Sequence, residues 1–559
     1  MANLWDTDRV RARESTNAIE RIYITMRHLF IRGFYKPMGV SGKTLRESLL
    51  TLRPEIYGTI AEDKVELNGL LYVLERLPKG IESCTYINLT SNEGYAQSHF
   101  QPIIPPKRRR NCYRIDEEQM NIEITRGRSE IYDILTHLTF MFIESHKIMN
   151  NVLVSDSGSV TRDWEKLKEA VKQKELDHKE RDIAITHVAN ILGRTFSEVL
   201  EVYDQFATHN DPDRFIRFIY DLGKLALDEE VKNEKRIITF SPVLRERLGH
   251  HIHGEMWANT IKQKLVDHDL FRRDIHIISA NMHSVMNTLF APQVFSKECK
   301  AKGILHVYQQ LAEPGNDKMR EKITHHALEN GMYFLEDASG TNINVQVFDL
   351  NKCTGLEQSF DIGKKKNLPV LIVMDYAFGE QAYETMEELL KPFFTDDEKE
   401  YMPVGSISIM GKAGILKGVK GDIMIPDAHL FEGTADNYPF HNELKVSDFE
   451  GHDLQVLSGA MMSVLGTSLQ NRDILHFFHH SSWNVIGLEM EGAHYQKAIQ
   501  ASGKLRGNIK PNVKVRYAYY ASDNPLQSGS TLASGGLGVT GVKPTYLITE
   551  KILQQILNS

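Results

Sequence analysis

The chain has 559 residues, enough at roughly 100–200 residues per domain for two to four domains with buried cores. Hydrophobic residues make up 41% and charged residues 25%, which excludes a disordered, collagen-like or disulfide-scaffold chain. With 66 basic against 74 acidic residues the net charge is −8, and a general nucleic-acid coat protein, whose surface would be basic, is disfavoured.

The N-terminal MANLWDTDRVRARES has no apolar region of the kind a secretory signal needs. NAIERIYITMRHLFIRGFY (17–35) places Ile19, Ile22, Tyr23, Met26, Leu29 and Phe30 on one stripe, which predicts an amphipathic helix. Between 84 and 126 the periodicity breaks, and QPIIPPKRRRNCYRID (101–116) reads as an extended arm. Its PPKRRR (105–110) is read as solvated, with an anionic substrate or nucleic acid as the functional alternative. LTFMFI (138–143) is a typical short apolar burst, far below the 18 or so residues of a membrane span. SDSGSV (155–160) reads as a polar joint. Thr195, with Glu198 three residues on, has the form of a capping box. Asp211-Pro212 ahead of DRFIRFIYDLGKLAL predicts a helix capped by Asp211, with Pro212 in its first turn. Residues 1–270 therefore read as a mostly helical region of no assigned role.

From about residue 272 the pattern changes to short β-rich runs. These are DIHIIS (274–279), NVQVFDL (344–350), VLIVMDYA (370–377), SISIM (406–410), DIMI (422–425), NVIGLEM (484–490) and VKVRYAYYA (513–521). Several lack polar alternation, as strands buried on both faces do. Helical stretches such as EQAYETMEELLKPF (380–393) lie between them, so residues 271–559 are expected to be an α/β domain with a mixed sheet flanked by helices. In such sheets the ligand sits beyond the C-terminal ends of the strands. Those ends carry Asn281-Met282-His283-Ser284, Gly379-Glu380, Gly411-Lys412-Ala413-Gly414, Glu489-Met490-Glu491-Gly492-Ala493 and Ser522-Asp523-Asn524-Pro525.

This order of signals resembles the nucleoside phosphorylase/nucleosidase superfamily. EMEGA followed about thirty residues on by a β-run ending in Ser-Asp is the most specific part, and SDNPL is similar to AMP nucleosidases. The resemblance covers about half of the chain and does not extend to residues 1–270. It implies cleavage of the N-glycosidic bond of a purine nucleoside or nucleotide, with no cofactor and no metal, in a homo-oligomer. The chemistry fits the residue types. The transition state is oxocarbenium-like, and a buried, protonated carboxyl can neutralise the departing base at N7. The resemblance places Asp523 in that role with Ser522 to orient it, and gives the ribose to Glu491, Met490 and Glu489. The plainer readings are a turn or helix cap for Asp523 and a charged helix start for Glu491.

Gly411, Lys412, Ala413, Gly414, Asn281, His283, Ser284 and Gly379 fall on the phosphate or nucleophile side, and here the chain departs from the family. Lys412 stands where serine is common, Ile409 where some phosphorylases have arginine, and SANMHS lacks the usual arginine and glycines. Either water is the nucleophile or the phosphate pocket is rebuilt. Lys412 could hold a phosphate as a point charge, such as a 5′-phosphate of the substrate, or point to solvent. Hydrolysis is the first reading. Phosphorolysis is the alternative, and a non-catalytic nucleotide sensor on a phosphorylase scaffold is the reading from another class.

The remaining signals are weaker. Gly536-Leu537-Gly538-Val539-Thr540-Gly541 matches GxGxxG but follows no strand, so it reads as a loop beside Asp523, in the manner of a lid. His250, His251, His253 and Glu255, His137 and His146, and His476, His479 and His480 form no HExxH pair. Cys84, Cys112, Cys299 and Cys353 are scattered without a CxxC, which suits free thiols in a reducing cytoplasm. A membrane partner is not expected and a nucleic-acid partner is disfavoured.

Overall fold

A computed structural model describes residues 2–155, 158–173, 175–208, 211–362, 367–395, 398–527 and 538–558. Two units divide the chain: Met1–Thr125 with Glu130–His250 and Ser468–Ile474, and Arg126–Ser129 with His251–Thr467 and Leu475–Ser559. The helix Ile252–Asp267, read from sequence with the N-terminal half, belongs to the second unit.

In the first unit the predicted stripe lies inside a longer helix, Ala2–Arg32, and all six stripe residues are buried. The helix stops short of Tyr35, because Phe34–Tyr35 is strand β1, paired with Ile237–Phe240. The capping box forms: Thr195 Oγ1 accepts from the Glu198 amide, and the Glu198 carboxylate accepts from the Thr195 amide at 2.7 Å. The Asp211-Pro212 start does not. The helix begins at Arg214 with Asp213 at its N-cap, while Asp211 pairs with Arg217. Asp213 is drawn into tertiary bonds with Arg181, Tyr203 and the Leu176 amide, which outweigh local capping.

The helical expectation for this half also omits a sheet. Beside β1, it contains β2 (Tyr86–Thr90), β3 (Cys112–Arg114), β4 (Gln119–Glu123) and β5 (Ile237–Phe240), in the order β1-β5-β2-β4-β3. The basic PPKRRR segment is solvated only in part: Lys107 and Arg109 are exposed, while Arg108 and Arg110 are held by the protein. Arg108 binds Asp133 through both carboxylate oxygens at 2.6 and 2.8 Å, and Arg110, buried, meets Glu130 at 3.2 Å and Asp133 at 2.8 Å. Burial pushes the Asp133 carboxyl up, but His137 and Arg108 outweigh it and hold the group well below the usual carboxylate range.

The second unit is built on a ten-stranded sheet. Its strands are β6 (Ile275–Ser279), β7 (Met332–Leu335), β8 (Val345–Asp349), β9 (Val370–Met374), and, after a separate hairpin of β10 (Phe393–Thr395) and β11 (Glu398–Glu400), β12 (Val404–Ile415), β13 (Ile423–Phe431), β14 (Asn437–Pro439), β15 (Val456–Ser463), β16 (Val485–Glu489) and β17 (Lys514–Asp523). Strands β6, β8, β9 and β16 are buried along their whole length, which is why their sequences do not alternate. The sheet is mixed: β12 runs parallel to β6 and β17 and antiparallel to β16. Because β17 also pairs with β13, the strands β13, β15, β16, β12 and β17 close into a ring. The predicted helix forms over Gln381–Leu390. One expectation fails: Gly411–Gly414 is no turn after a short strand but the continuation of β12, bulged between Ala413 and Gly414. No described helix is long and apolar enough to cross a membrane.

Candidate functional site

The site is assembled where β12, β16 and β17 meet. Gly414 is the register partner of Leu488 on one side and of Asp523 on the other, so the EMEGA and Ser-Asp segments flank the same glycine of β12.

The EMEGA segment carries the chain from β16 into the helix Gly492–Gln500. Glu489 closes this junction. Its carboxylate accepts from the Ser463 hydroxyl, from the Gly492 amide and, at 2.5 Å, from the Glu491 amide, and His429 Nδ1 stands 3.5 Å away. Burial pushes its carboxyl up, but these partners bring it below the ordinary glutamate value. Glu489, expected at the ribose, is thus held by three hydrogen bonds of the protein and also lines the cavity described below. Gly492 must be glycine, since a Cβ there would lie 2.3 Å from the His429 ring.

Glu491 is less engaged. Its Oε1 accepts from the Gly379 amide at 3.0 Å, which is how Gly379 joins the site. Gly379 has φ +56°, and a Cβ there would meet Ser129 Oγ at 2.3 Å, so both backbone and space require glycine. Burial and then the Glu489 charge raise the Glu491 carboxyl to about 7. Its charged form is thus disfavoured in the fold, and native stability falls as pH rises from the ordinary 4.5 to about 7. Glu491→Gln is expected to melt at a higher temperature than the parent at pH 8, with the gap closing towards pH 4.5, in thermal scans across that range. A gap that stays constant with pH would contradict this assignment.

At the end of β17, Ser522 Oγ donates to the Ala413 carbonyl at 3.1 Å and to Asp523 Oδ1 at 2.5 Å. Asp523 is buried, and among the described residues its Oδ2 has no partner. Burial raises its pKa, against the opposing pull of Ser522, Lys412 and Lys420. It ends a strand and caps no helix.

A cavity of about 260 Å³ opens here, lined by Glu489, Met490, Glu491, Gly411–Gly414 and Ser522. Asp523 itself is not among the lining residues, although its neighbour Ser522 and its register partner Gly414 are. Four tyrosines that sequence reasoning did not assign, Tyr376, Tyr495, Tyr519 and Tyr520, complete the wall. A second cavity of about 290 Å³ shares Lys412 and Tyr520 with the first and holds Asn281, His283 and Ser284. There Asn281 caps the helix Met282–Val294 through the His283 amide, and Ser284 donates to the Asn281 carbonyl and accepts from Thr549. Both thus hold the start of that helix as well as lining the cavity; His283 and Lys412 are exposed, and Lys412 makes no ion pair among the described residues. The GxGxxG loop lies partly outside the described residues, which resume at Gly538.

The histidine groups are accounted for by protein contacts. His137 sits between Asp133 and Tyr57, His253 meets the Ser339 carbonyl, and His479 the Val485 carbonyl. Among the described residues His251, Glu387 and Glu388 bring three ligand atoms within 4.8 Å, the spacing of a metal cluster. Arg506 and Tyr383 already hold Glu387, and Lys391 holds Glu388, so that charge is balanced without an ion.

The profile of a family of unknown function, DUF6909, matches residues 43–300 and 303–558. The chain belongs to the DUF6909 family. No curated protein matches the sequence. Among solved structures, this DUF6909 chain is similar to the 5′-methylthioadenosine/S-adenosylhomocysteine nucleosidase of Campylobacter jejuni at 11% identity, over 51% of this chain and 100% of that one, with a TM-score of 0.32. Futalosine hydrolase of Helicobacter pylori is 12% identical over 51% of this chain and 99% of its own, with a TM-score of 0.30. Uridine phosphorylase of Schistosoma mansoni is 11% identical over 51% and 87%, with a TM-score of 0.29.

Proposed function

We propose that the second unit hydrolyses the N-glycosidic bond of a purine nucleoside or nucleotide. The observation that carries this reading is the buried, half-unpartnered carboxyl of Asp523, set beside a cavity that also presents Glu491 and Met490. As the C1′–N9 bond breaks, its electron pair goes to the base. Asp523 gives its proton to N7, and water adds to C1′ and sheds a proton to solvent, from which Asp523 is reprotonated. Burial suits Asp523 to this, because it favours the protonated form. Glu491 accepts hydrogen bonds from the ribose hydroxyls and Met490 packs on the sugar. The tyrosine wall supplies flat apolar surface for the base and excludes water. The order of motifs along the second half of the chain supports the same reading, and implies a homo-oligomer, which light scattering on the purified protein checks.

The test is product analysis on a panel of nucleosides and nucleotides, with and without inorganic phosphate. Free ribose or ribose 5-phosphate, independent of phosphate, is expected. Ribose 1-phosphate would establish phosphorolysis, with Lys412, the one cation shared by both cavities' described walls, to hold the inorganic phosphate. Tight binding without products would leave a sensor. Lys412→Met is expected to raise KM for 5′-phosphorylated substrates roughly tenfold relative to the matching nucleosides. Equal effects on both would put Lys412 in solvent.

A further inference from the structure

Strand β17 carries a second charged group near its other end, about 23 Å from Asp523 at the spacing of an extended chain. Arg516 is 1% exposed. Its Nε donates to Gln555 Oε1 at 2.7 Å and its Nη1 to Ser406 Oγ at 2.8 Å, both neutral acceptors. Among the described residues no carboxylate pairs with it. Two similarly buried arginines differ: Arg110 is paired with Glu130 and Asp133, and Arg236 with Glu229. A guanidinium held out of water without a counter-charge is costly, and burial pulls Arg516 down to about 10, with Glu443 opposing.

Arg516, though buried, borders a cavity. It lines an open cavity of about 340 Å³ with Lys514 and Lys551, neither of which has an ion pair among the described residues. Glu443 and Asp448 share the wall, and Asp448 is already engaged by the Lys445 amide and Gln555. Three cations against two carboxylates leave one net positive charge, which suits a single phosphate group rather than a polyanion.

We infer that this cavity is an anion site in which Arg516, Lys514 and Lys551 bind the phosphate group of inorganic phosphate or of a small sugar phosphate. The site does not depend on the proposed activity, and shares with the candidate catalytic cavity only the strands β12 and β17.

Calorimetric titration of the full chain with inorganic phosphate, and separately with ribose 5-phosphate, at constant ionic strength tests it. A Lys412→Met background separates it from any phosphate bound at the other end of β17. Saturable binding is expected there, weakened roughly tenfold or more when Lys514→Met and Lys551→Met are added. Lys514 is exposed and Lys551 half-buried, and neither is in an ion pair among the described residues, so the variant is expected to keep the parent's melting temperature. Tighter binding of ribose 5-phosphate than of phosphate would assign the site to a sugar phosphate, and equal binding to phosphate itself. No binding of either probe in the Lys412→Met background, or binding unchanged by the two lysine substitutions, would overturn the inference.

Discussion

Asp523→Asn is expected to slow release of the purine base by roughly 10²–10⁴-fold, the range of a positioned general acid, with nucleoside affinity held within a few-fold. Asparagine keeps the size of the side chain and can still accept from Ser522 through its amide oxygen, so the Ser522–523 bond at 2.5 Å has a substitute. What it removes is the acidic proton. The pH profile separates this role from a structural one. Loss of activity as Asp523 deprotonates at high pH should disappear in the variant, because its residual rate no longer depends on that group. Base release followed chromatographically over a pH series measures both effects. A variant that keeps parental turnover would remove Asp523 from the chemistry, wherever the substrate binds.

Glu489→Ala is expected to lose about 3–5 kcal/mol of stability, the usual result of removing one partner from a buried charged cluster. The substitution leaves the Ser463 hydroxyl and two backbone amides without their shared acceptor, and His429 without the carboxylate beside it. Glu489→Gln locates the charge contribution. The native carboxyl sits below the ordinary 4.5, so its stabilisation is present above that value and is lost as pH falls through the depressed one. The stability gap between parent and Glu489→Gln in denaturant titrations should therefore narrow below pH 4.5. Glu491 predicts the opposite slope. Of these two glutamates of one short motif, Glu489 alone holds the strand-to-helix junction, and both line the cavity.

The strands of the second unit were legible because burial on both faces writes itself as unbroken runs such as VLIVM (370–374), and because Glu491 and Asp523 fall at strand ends. The capping box at Thr195 was legible because it is local. What failed is long-range. The glycines of GKAG look like turn residues, yet β16 and β17 pair with β12 across them and hold the segment extended. Pairing of β17 with β13, which closes the ring, joins Tyr520 to Ile423 and has no local signature. The same holds for Tyr86 and Ile237 in the first unit's sheet. Within PPKRRR the pairing of Arg108 and Arg110 has no local signature, because Glu130 and Asp133 lie on a later helix. The tyrosine wall drew no notice for the same reason: Tyr376, Tyr495 and Tyr519 come from three separate segments. The bonds of Glu489 to Ser463 and to the Glu491 and Gly492 amides are likewise unreadable in sequence, which shows a residue's type and not its hydrogen bonds.

The central claim is that one cavity holds the base against Asp523 and the sugar against Glu491. A crystal structure of Asp523→Asn, slowed in turnover, with a purine nucleoside bound tests it most directly. The account predicts purine N7 within about 3.2 Å of the side chain at 523, and the ribose hydroxyls on the Glu491 carboxylate. A nucleoside seated elsewhere, or side chains at 491 and 523 facing different spaces, would contradict it.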